Sequence, residues 1–410
     1  MRRSLHISAH SKVSDIGFSS SRFWLVFFVP VLVALVGAIF LPTSALAAPL
    51  APGKPTALNG QAGDQQVSLS WGSATDAAGY LVNETDLVSA QTQQLPTIIT
   101  VTSTIITNLQ AGHWYRFSIT PLAGTLQGPA SDPVEVRTKG YSGSYDNYYA
   151  LGDSYSAGDG APPYNGAKNC YRSTKGYPYL LSSGAPSPTL IACSGAVTGN
   201  IDSTVQYSWL PGTQLAQLQS GPRGKTLITL TIGGNDIGFS SELTNCITSF
   251  SSCKSHRASV SQKIINLEPR LVAVYQELRA AAPGADIIIV GYPLLVADPS
   301  LADCHNPVVY TGLGAGEMQM IRDLASQLND AIAQAASTAG AFPATEEVEQ
   351  AFAGHEACTA NESQEWINEI AGLNDALRDS FHPNSAGYQA LSRAVNSARD
   401  KLYQNGMVRK

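Results

Sequence analysis

Apolar and polar positions alternate in three short runs in the first part of the chain: Val67-Ser-Leu-Ser-Trp71, Ile98-Ile-Thr-Val-Thr102 and Tyr115-Arg-Phe-Ser-Ile119. A period of two, broken by turn residues, predicts the short strands of a β-sandwich. From Tyr148 onward the pattern changes. Tyr148–Leu151, Leu227–Ile232 and Ala285–Gly291 are short apolar runs that end in glycine. Between and after them come helical periods. Over 258–282 the apolar residues Val260, Ile264, Leu267, Leu271, Val274 and Leu278 recur about one turn apart, and further helices are expected over 316–336 and 385–402. Apolar strands alternating with helices predict a parallel sheet covered on both faces, with any site at the carboxyl ends of its strands.

Composition breaks place the boundaries. Pro49, Pro52 and Pro55 form one linker, and Gly140-Tyr-Ser-Gly-Ser144 a second. The expected organisation is a leader over 1–48, a sandwich over 49–139 and an α/β domain over 140–410. The leader carries Arg2, Arg3, Lys12 and Arg22, then the apolar run Phe23–Leu41, then Ala45-Leu-Ala-Ala48. Basic, apolar and small-residue segments in that order read as a signal peptide. The run exceeds the ~7–15 residues usual for such a segment and approaches the ~20 of a membrane span, so a retained anchor is the other reading. Both place the rest of the chain outside the cytoplasm.

Hydrophobic residues make up 44% of the 410 and charged ones 14%, which supplies a sizeable core and argues against global disorder. The formal net charge of -6 argues against nucleic acid as a partner. All six cysteines follow the sandwich. An even number in an exported chain points to disulfides, and short loops close most easily, so the expected pairs are Cys170–Cys193, Cys246–Cys253 and Cys304–Cys358. Each would add ~2–4 kcal/mol by restricting the unfolded chain. No C-x-x-C pair or H-x-x-x-H cluster supports a metal, and no cofactor is expected.

Four polar and glycine clusters fall at element ends: Gly152-Asp-Ser154-Tyr-Ser-Ala-Gly158, Ala192-Cys-Ser-Gly195-Ala196, Gly233-Gly-Asn235-Asp236 and Asp379-Ser-Phe-His382-Pro383. Each alone has a plain structural reading: a helix-capping serine, a turn, a surface histidine. Together they supply a nucleophile, a base, a group to orient the base, and oxyanion donors, which is what ester cleavage needs. Of seven histidines, His6 and His10 are in the leader and His113 is in the sandwich. Among His256, His305, His355 and His382, only His382 has a carboxylate, Asp379, three residues earlier.

On these residues the chain resembles the GDSL, or SGNH, hydrolase family, with Tyr155 where the name-giving motif has leucine. The cysteine placement and Phe352-Ala-Gly-His355-Glu-Ala-Cys358 are similar to secreted actinobacterial lipases and esterases of that family. Residues 53–138 resemble a fibronectin type III domain, with Tyr115 as its tyrosine corner; Trp71 and Tyr80 read either as an aromatic ligand platform or as sandwich core, and core is the expectation for Trp71. The resemblance implies a flavodoxin-like three-layer α/β/α fold. It also implies Ser154 as nucleophile, His382 as base and Asp379 as the group orienting it, although some members use a backbone carbonyl instead. The oxyanion hole would comprise the N–H groups of Ser154 and Gly195 and the side chain of Asn235.

The function expected is therefore a secreted lipase or esterase acting through an acyl-enzyme on lipid or short acyl esters. The second reading is a polysaccharide O-acetyl esterase whose sandwich contacts a polymer or cell surface. A third, adhesion through the sandwich alone, would make all four clusters relics. The chain contains no Gly-x-Ser-x-Gly elbow, phosphate loop or dinucleotide fingerprint after a strand.

Overall fold

The computed structural model describes residues 50–410 apart from 141–142, 166–168, 183, 219–223, 240–241, 243–252, 302–312 and 369–378. The leader, Cys246, Cys304, His305 and the side chain of Cys253 lie outside the described residues.

Strands β1 (Thr56–Gly63), β2 (Gln66–Gly72), β3 (Gly79–Asp86), β4 (Gln91–Gln94), β5 (Ser103–Ile106), β6 (Trp114–Ala123), β7 (Leu126–Gln127) and β8 (Val134–Arg137) form an antiparallel sandwich. One sheet runs β1-β2-β5; the other contains β8-β6-β3-β4. Alternate residues point inward, so Val67, Leu69, Trp71, Tyr80, Val82, Phe117, Ile119, Val134 and Val136 make one buried cluster. Trp71 and Tyr80 meet edge to face at 5.5 Å as core residues. The Tyr115 hydroxyl accepts the Gln110 N–H at 2.8 Å, the bond of a tyrosine corner. The sandwich is of the fibronectin type III kind. The alternating run Ile98–Thr102 is not a strand. It makes one bridge, Tyr80 to Ile99, and pairing proper begins at Ser103. Ile98 and Val101 are 57% and 59% exposed, so the alternation there does not mark an inward face.

Five parallel strands form the second sheet: β9 (Asn147–Gly152), β10 (Thr189–Leu190), β11 (Thr226–Thr231), β12 (Asp286–Ile289) and β13 (Phe342–Pro343). Their order is β10-β9-β11-β12-β13. Counted from β9 this is the flavodoxin-like order, whose switch point opens a crevice at the strand carboxyl ends. Every residue of β11 and β12 is buried, as strands covered on both faces require. Among the described residues the helices are α1 (Ser154–Ala157), α2 (Thr198–Asp202), α3 (Arg257–Ala281), α4 (Ala315–Ala339), α5 (Thr345–Phe352) and α6 (Ser385–Asn405). Helix α3 packs against α4, and α6 against α5. The expected apolar stripe of α3, Val260 through Leu278, is buried. Asn384 caps α6 by accepting the N–H groups of Ala386 and Gly387.

The chain then turns at Gly406 and returns to the sandwich. Strand β14 (Met407–Arg409) pairs antiparallel with β8, so the end of the expected α/β domain extends a sandwich sheet. Beneath it lies a polar cluster. Asp286, 3% exposed at the start of β12, accepts from Arg137 Nε at 2.7 Å and Nη2 at 3.0 Å, from Trp114 Nε1 at 3.0 Å and from the Tyr145 hydroxyl at 2.8 Å. Arg409 bonds Glu135 at 2.6 Å and lies 3.7 Å over the Trp114 ring. Three donors on two sandwich residues, Arg137 and Trp114, thus converge on one carboxylate of the parallel sheet, at the amino ends of its strands.

Removing one partner of a buried ion pair leaves a desolvated charge. Asp286→Ala should therefore lower unfolding free energy by about 3–5 kcal/mol in urea titrations of the chain, and Arg137→Met with Asp286→Leu should cost less than either single change. Equal stability of Asp286→Ala and wild type would show that the cluster does not hold the two layers together.

Candidate active site

The nucleophile turn begins where β9 ends. Gly152 has φ of +124°, and a Cβ there would lie 2.2 Å from the Thr231 carbonyl oxygen of β11, so only glycine allows the turn to hug the neighbouring strand. Gln214 holds the same glycine from both sides, accepting its N–H at 2.7 Å and donating to its carbonyl at 2.8 Å. Asp153 then caps α1 by accepting the Tyr155 N–H at 3.0 Å, and Ser154 follows as the first helical residue. The N–H groups of a helix's first turn have no intrahelical partner, so that of Ser154 needs an acceptor from outside the helix.

His382 reaches this turn from the segment before α6. Its Nε2 lies 2.7 Å from Ser154 Oγ, a hydrogen bond through which the hydroxyl proton can pass. Phe381, at φ of +59°, bends the chain so that the next ring points into the site. Asn368 pins the turn by accepting the Phe381 N–H and donating its own N–H to the His382 carbonyl, both at 2.8 Å.

Asp379 is not placed as its spacing implied. Its Oδ1 accepts from the Tyr164 hydroxyl at 3.0 Å, and its carbonyl accepts the His382 N–H at 3.3 Å. His382 Nδ1 is buried and has no hydrogen-bond partner. The carboxylate therefore holds the turn that carries the histidine, and no hydrogen bond joins it to Nδ1.

The third cluster leaves β11 beside the nucleophile turn. Asn235 lines the cleft and donates one amide proton to the Ala196 carbonyl at 2.9 Å, which leaves the other for a ligand. Asp236 ties this turn to the second cluster by accepting the Thr198 N–H and hydroxyl. Burial pushes its carboxyl above the usual range, against the pull of those Thr198 bonds. Gly195 sits at φ of +77° in a turn closed by the Ala196 N–H on the Cys193 carbonyl at 3.1 Å. The expected Cys170–Cys193 disulfide fastens that turn, and Gln206 donates to the Ser194 carbonyl at 2.8 Å. Cys358 is disulfide-bonded as well.

The cleft is lined by Ser154, Asn235 and His382 together with Tyr155, Phe239, Tyr292, Leu295 and Phe381. Asp153, Gly234 and Ser380 complete the lining, so polar and apolar groups share its walls. Sequence reasoning missed Asp153, which is 1% exposed under the nucleophile and whose carboxyl burial pushes up to about 7. It missed Tyr292 too, whose hydroxyl donates to Asp153 Oδ2 at 2.5 Å and accepts the Gly234 N–H at 3.0 Å. Asp153 stands inside a quoted motif and could have been weighed. Tyr292 follows strand β12 in Gly291-Tyr-Pro293 with nothing else to mark it.

Comparison with known proteins identifies the family of the α/β domain. The model of the GDSL-like Lipase/Acylhydrolase family matches residues 150–390. Lipase 1 of Streptomyces coelicolor is 35% identical over 272 residues, 65% of this chain and 88% of that protein. The crystal structure of the extracellular lipase of Streptomyces rimosus superposes with a TM-score of 0.51 at 30% identity, over 62% of this chain and 99% of that one. Phospholipase A1 of Streptomyces albidoflavus NA297 does so with a TM-score of 0.51 at 31% identity, over 62% and 100%.

The turn geometry makes a graded expectation for Asp379. Asp379→Asn keeps an acceptor for Tyr164 and should retain kcat for ester hydrolysis within about tenfold, whereas a carboxylate directly orienting the base would lose about 10⁴-fold on the same change. Steady-state kinetics on a p-nitrophenyl ester separates the two.

Proposed function

The chain belongs to the GDSL-like lipase/acylhydrolase family of carboxylic-ester hydrolases, and on that premise we propose that it cleaves lipid or short acyl esters through Ser154 and His382. The 2.7 Å bond between Ser154 Oγ and His382 Nε2, in a cleft whose lining includes Phe239, Leu295 and Phe381, is the observation that carries this reading. Ser154 Oγ attacks the acyl carbon while Nε2 takes its proton. The oxyanion that forms is met by the N–H groups of Ser154 and Gly195 and the second amide proton of Asn235. Collapse expels the alcohol, which receives the proton from His382, and leaves an acyl-serine. Water then attacks the acyl carbon, giving its proton to Nε2, and the acid departs as Ser154 recovers its own. Asp379 serves this cycle by fixing the histidine turn through Tyr164, whose hydroxyl donates to its carboxylate.

Two considerations favour lipid or short acyl esters over acetylated polysaccharide. The relatives are named lipase and phospholipase. The sandwich is fastened at Asp286, at the amino end of β12, while the cleft opens at the carboxyl ends, so a polymer held on the sandwich would not lead directly into the site. We also infer export and cleavage of the leader before the sandwich, from the basic, apolar and small-residue segments over 1–48 and from the extracellular lipase among the relatives. No helix among the described residues is long and apolar enough to cross a membrane.

Ser154→Ala should fold normally and lose about 10⁴–10⁶-fold in ester turnover. The wild-type chain should release fatty acid from phospholipid or triglyceride faster than acetate from acetylated xylan. The reverse order would select the polysaccharide reading, and unaltered turnover in the serine variant would remove both.

A further inference from the structure

We propose that Tyr155 and Tyr292 are positioning residues which clamp the histidine turn and the Gly234–Asn235 turn onto the nucleophile turn. The inference rests on the Ser154–His382 reading and extends it. A single line of hydrogen bonds crosses the site. The Gly234 N–H donates to the Tyr292 hydroxyl at 3.0 Å, and that hydroxyl donates to Asp153 Oδ2 at 2.5 Å. Asp153 Oδ1 accepts the Tyr155 N–H at 3.0 Å, and the Tyr155 hydroxyl donates to the Phe381 carbonyl at 2.5 Å. Phe381 immediately precedes His382. Three turns that lie far apart in sequence are thereby joined around Ser154.

The ring contacts run the same way. Tyr155 and Tyr292 meet edge to face at 5.0 Å and 85°, and the Tyr155 ring centre lies 5.2 Å from that of His382. Both phenols are buried, 8% and 5% exposed, and burial holds their pKa values far above the ordinary one. Each therefore stays protonated and can donate throughout the pH range of turnover. Tyr155 occupies the place where the family's name-giving motif has leucine, so its hydroxyl supplies a tie that leucine could not. Because a displacement of about 1 Å can cost about 10²-fold in rate, freeing either turn should appear in kcat before it appears in binding.

The two ties act on different parts of the chemistry, which a double-variant comparison can read. Tyr155→Phe should lower kcat on p-nitrophenyl butyrate by about 10–100-fold with KM little changed, because the base loses its alignment. In a His382→Ala background, where no base remains to align, the same change should have no further effect. Tyr292→Phe should lower turnover by a similar factor in both backgrounds, since it acts on the oxyanion donors, with the melting transition retained. Wild-type kcat in either single variant overturns the proposal. So does an equal loss from Tyr155→Phe in both backgrounds, which would mark general damage to the fold, and so does loss of the melting transition in Tyr292→Phe. The underlying reading fails separately, if His382→Ala alone turns over at the wild-type rate.

Discussion

The site depends on two neighbouring parallel strands ending level with each other. Strands β9 and β11 pair in register through Leu151 with Leu230 and Gly152 with Thr231. At that last pair the backbones approach so closely that a Cβ on Gly152 would strike the Thr231 carbonyl. Two turns therefore leave the sheet side by side, one bearing Ser154 and the other Asn235. Parallel pairing makes this possible, because both strands point the same way and both turns emerge at one edge. The histidine needs only a third segment passing over that edge, which the approach to α6 provides.

Much of this was legible in the chain because it is local. A strand that ends in glycine, a serine at the start of the next helix and a polar turn after an apolar run all lie within a few residues of one another. Elimination among the histidines singled out His382 for a similar reason, since none of the alternatives has a carboxylate three residues earlier. The neighbouring acid was the weaker inference. A spacing of three residues puts Asp379 near His382, but Phe381 between them takes a left-handed conformation, and the Asp379 carboxylate is bonded to Tyr164 while Nδ1 has no hydrogen-bond partner. Sequence spacing does not report the sign of one φ angle.

Other features were hidden because their partners are remote or their elements are short. Tyr292 meets Asp153 across a separation of 139 residues, and Tyr155 meets Phe381 across 226. Strand β14 has three residues, too few to show alternation, and its pairing depends on β8 far back in the sandwich. The run Ile98–Thr102 failed in the opposite direction. It carries a strand-like pattern, but the neighbouring Ser103–Ile106 segment takes the place beside β2, leaving Ile98 and Val101 facing outward.

The sandwich illustrates how an appended domain can serve by position. A module that delivers substrate would be expected on a flexible tether or beside the cleft. Here four donors on three residues meet one buried carboxylate at the amino ends of the strands, and the chain's last strand completes a sandwich sheet. Buried ion pairs contribute little net stability, because desolvation offsets most of their attraction, but they penalise every arrangement that separates them. Such a cluster therefore fixes one orientation between the layers and makes independent movement costly. With the sandwich held at that end, the cleft's own lining includes Phe239, Leu295, Phe381 and the two tyrosines. The aromatic residues that shape the cleft are in part the ones that hold its turns together, so changes that widen it for a larger acyl group would also loosen the geometry around the nucleophile.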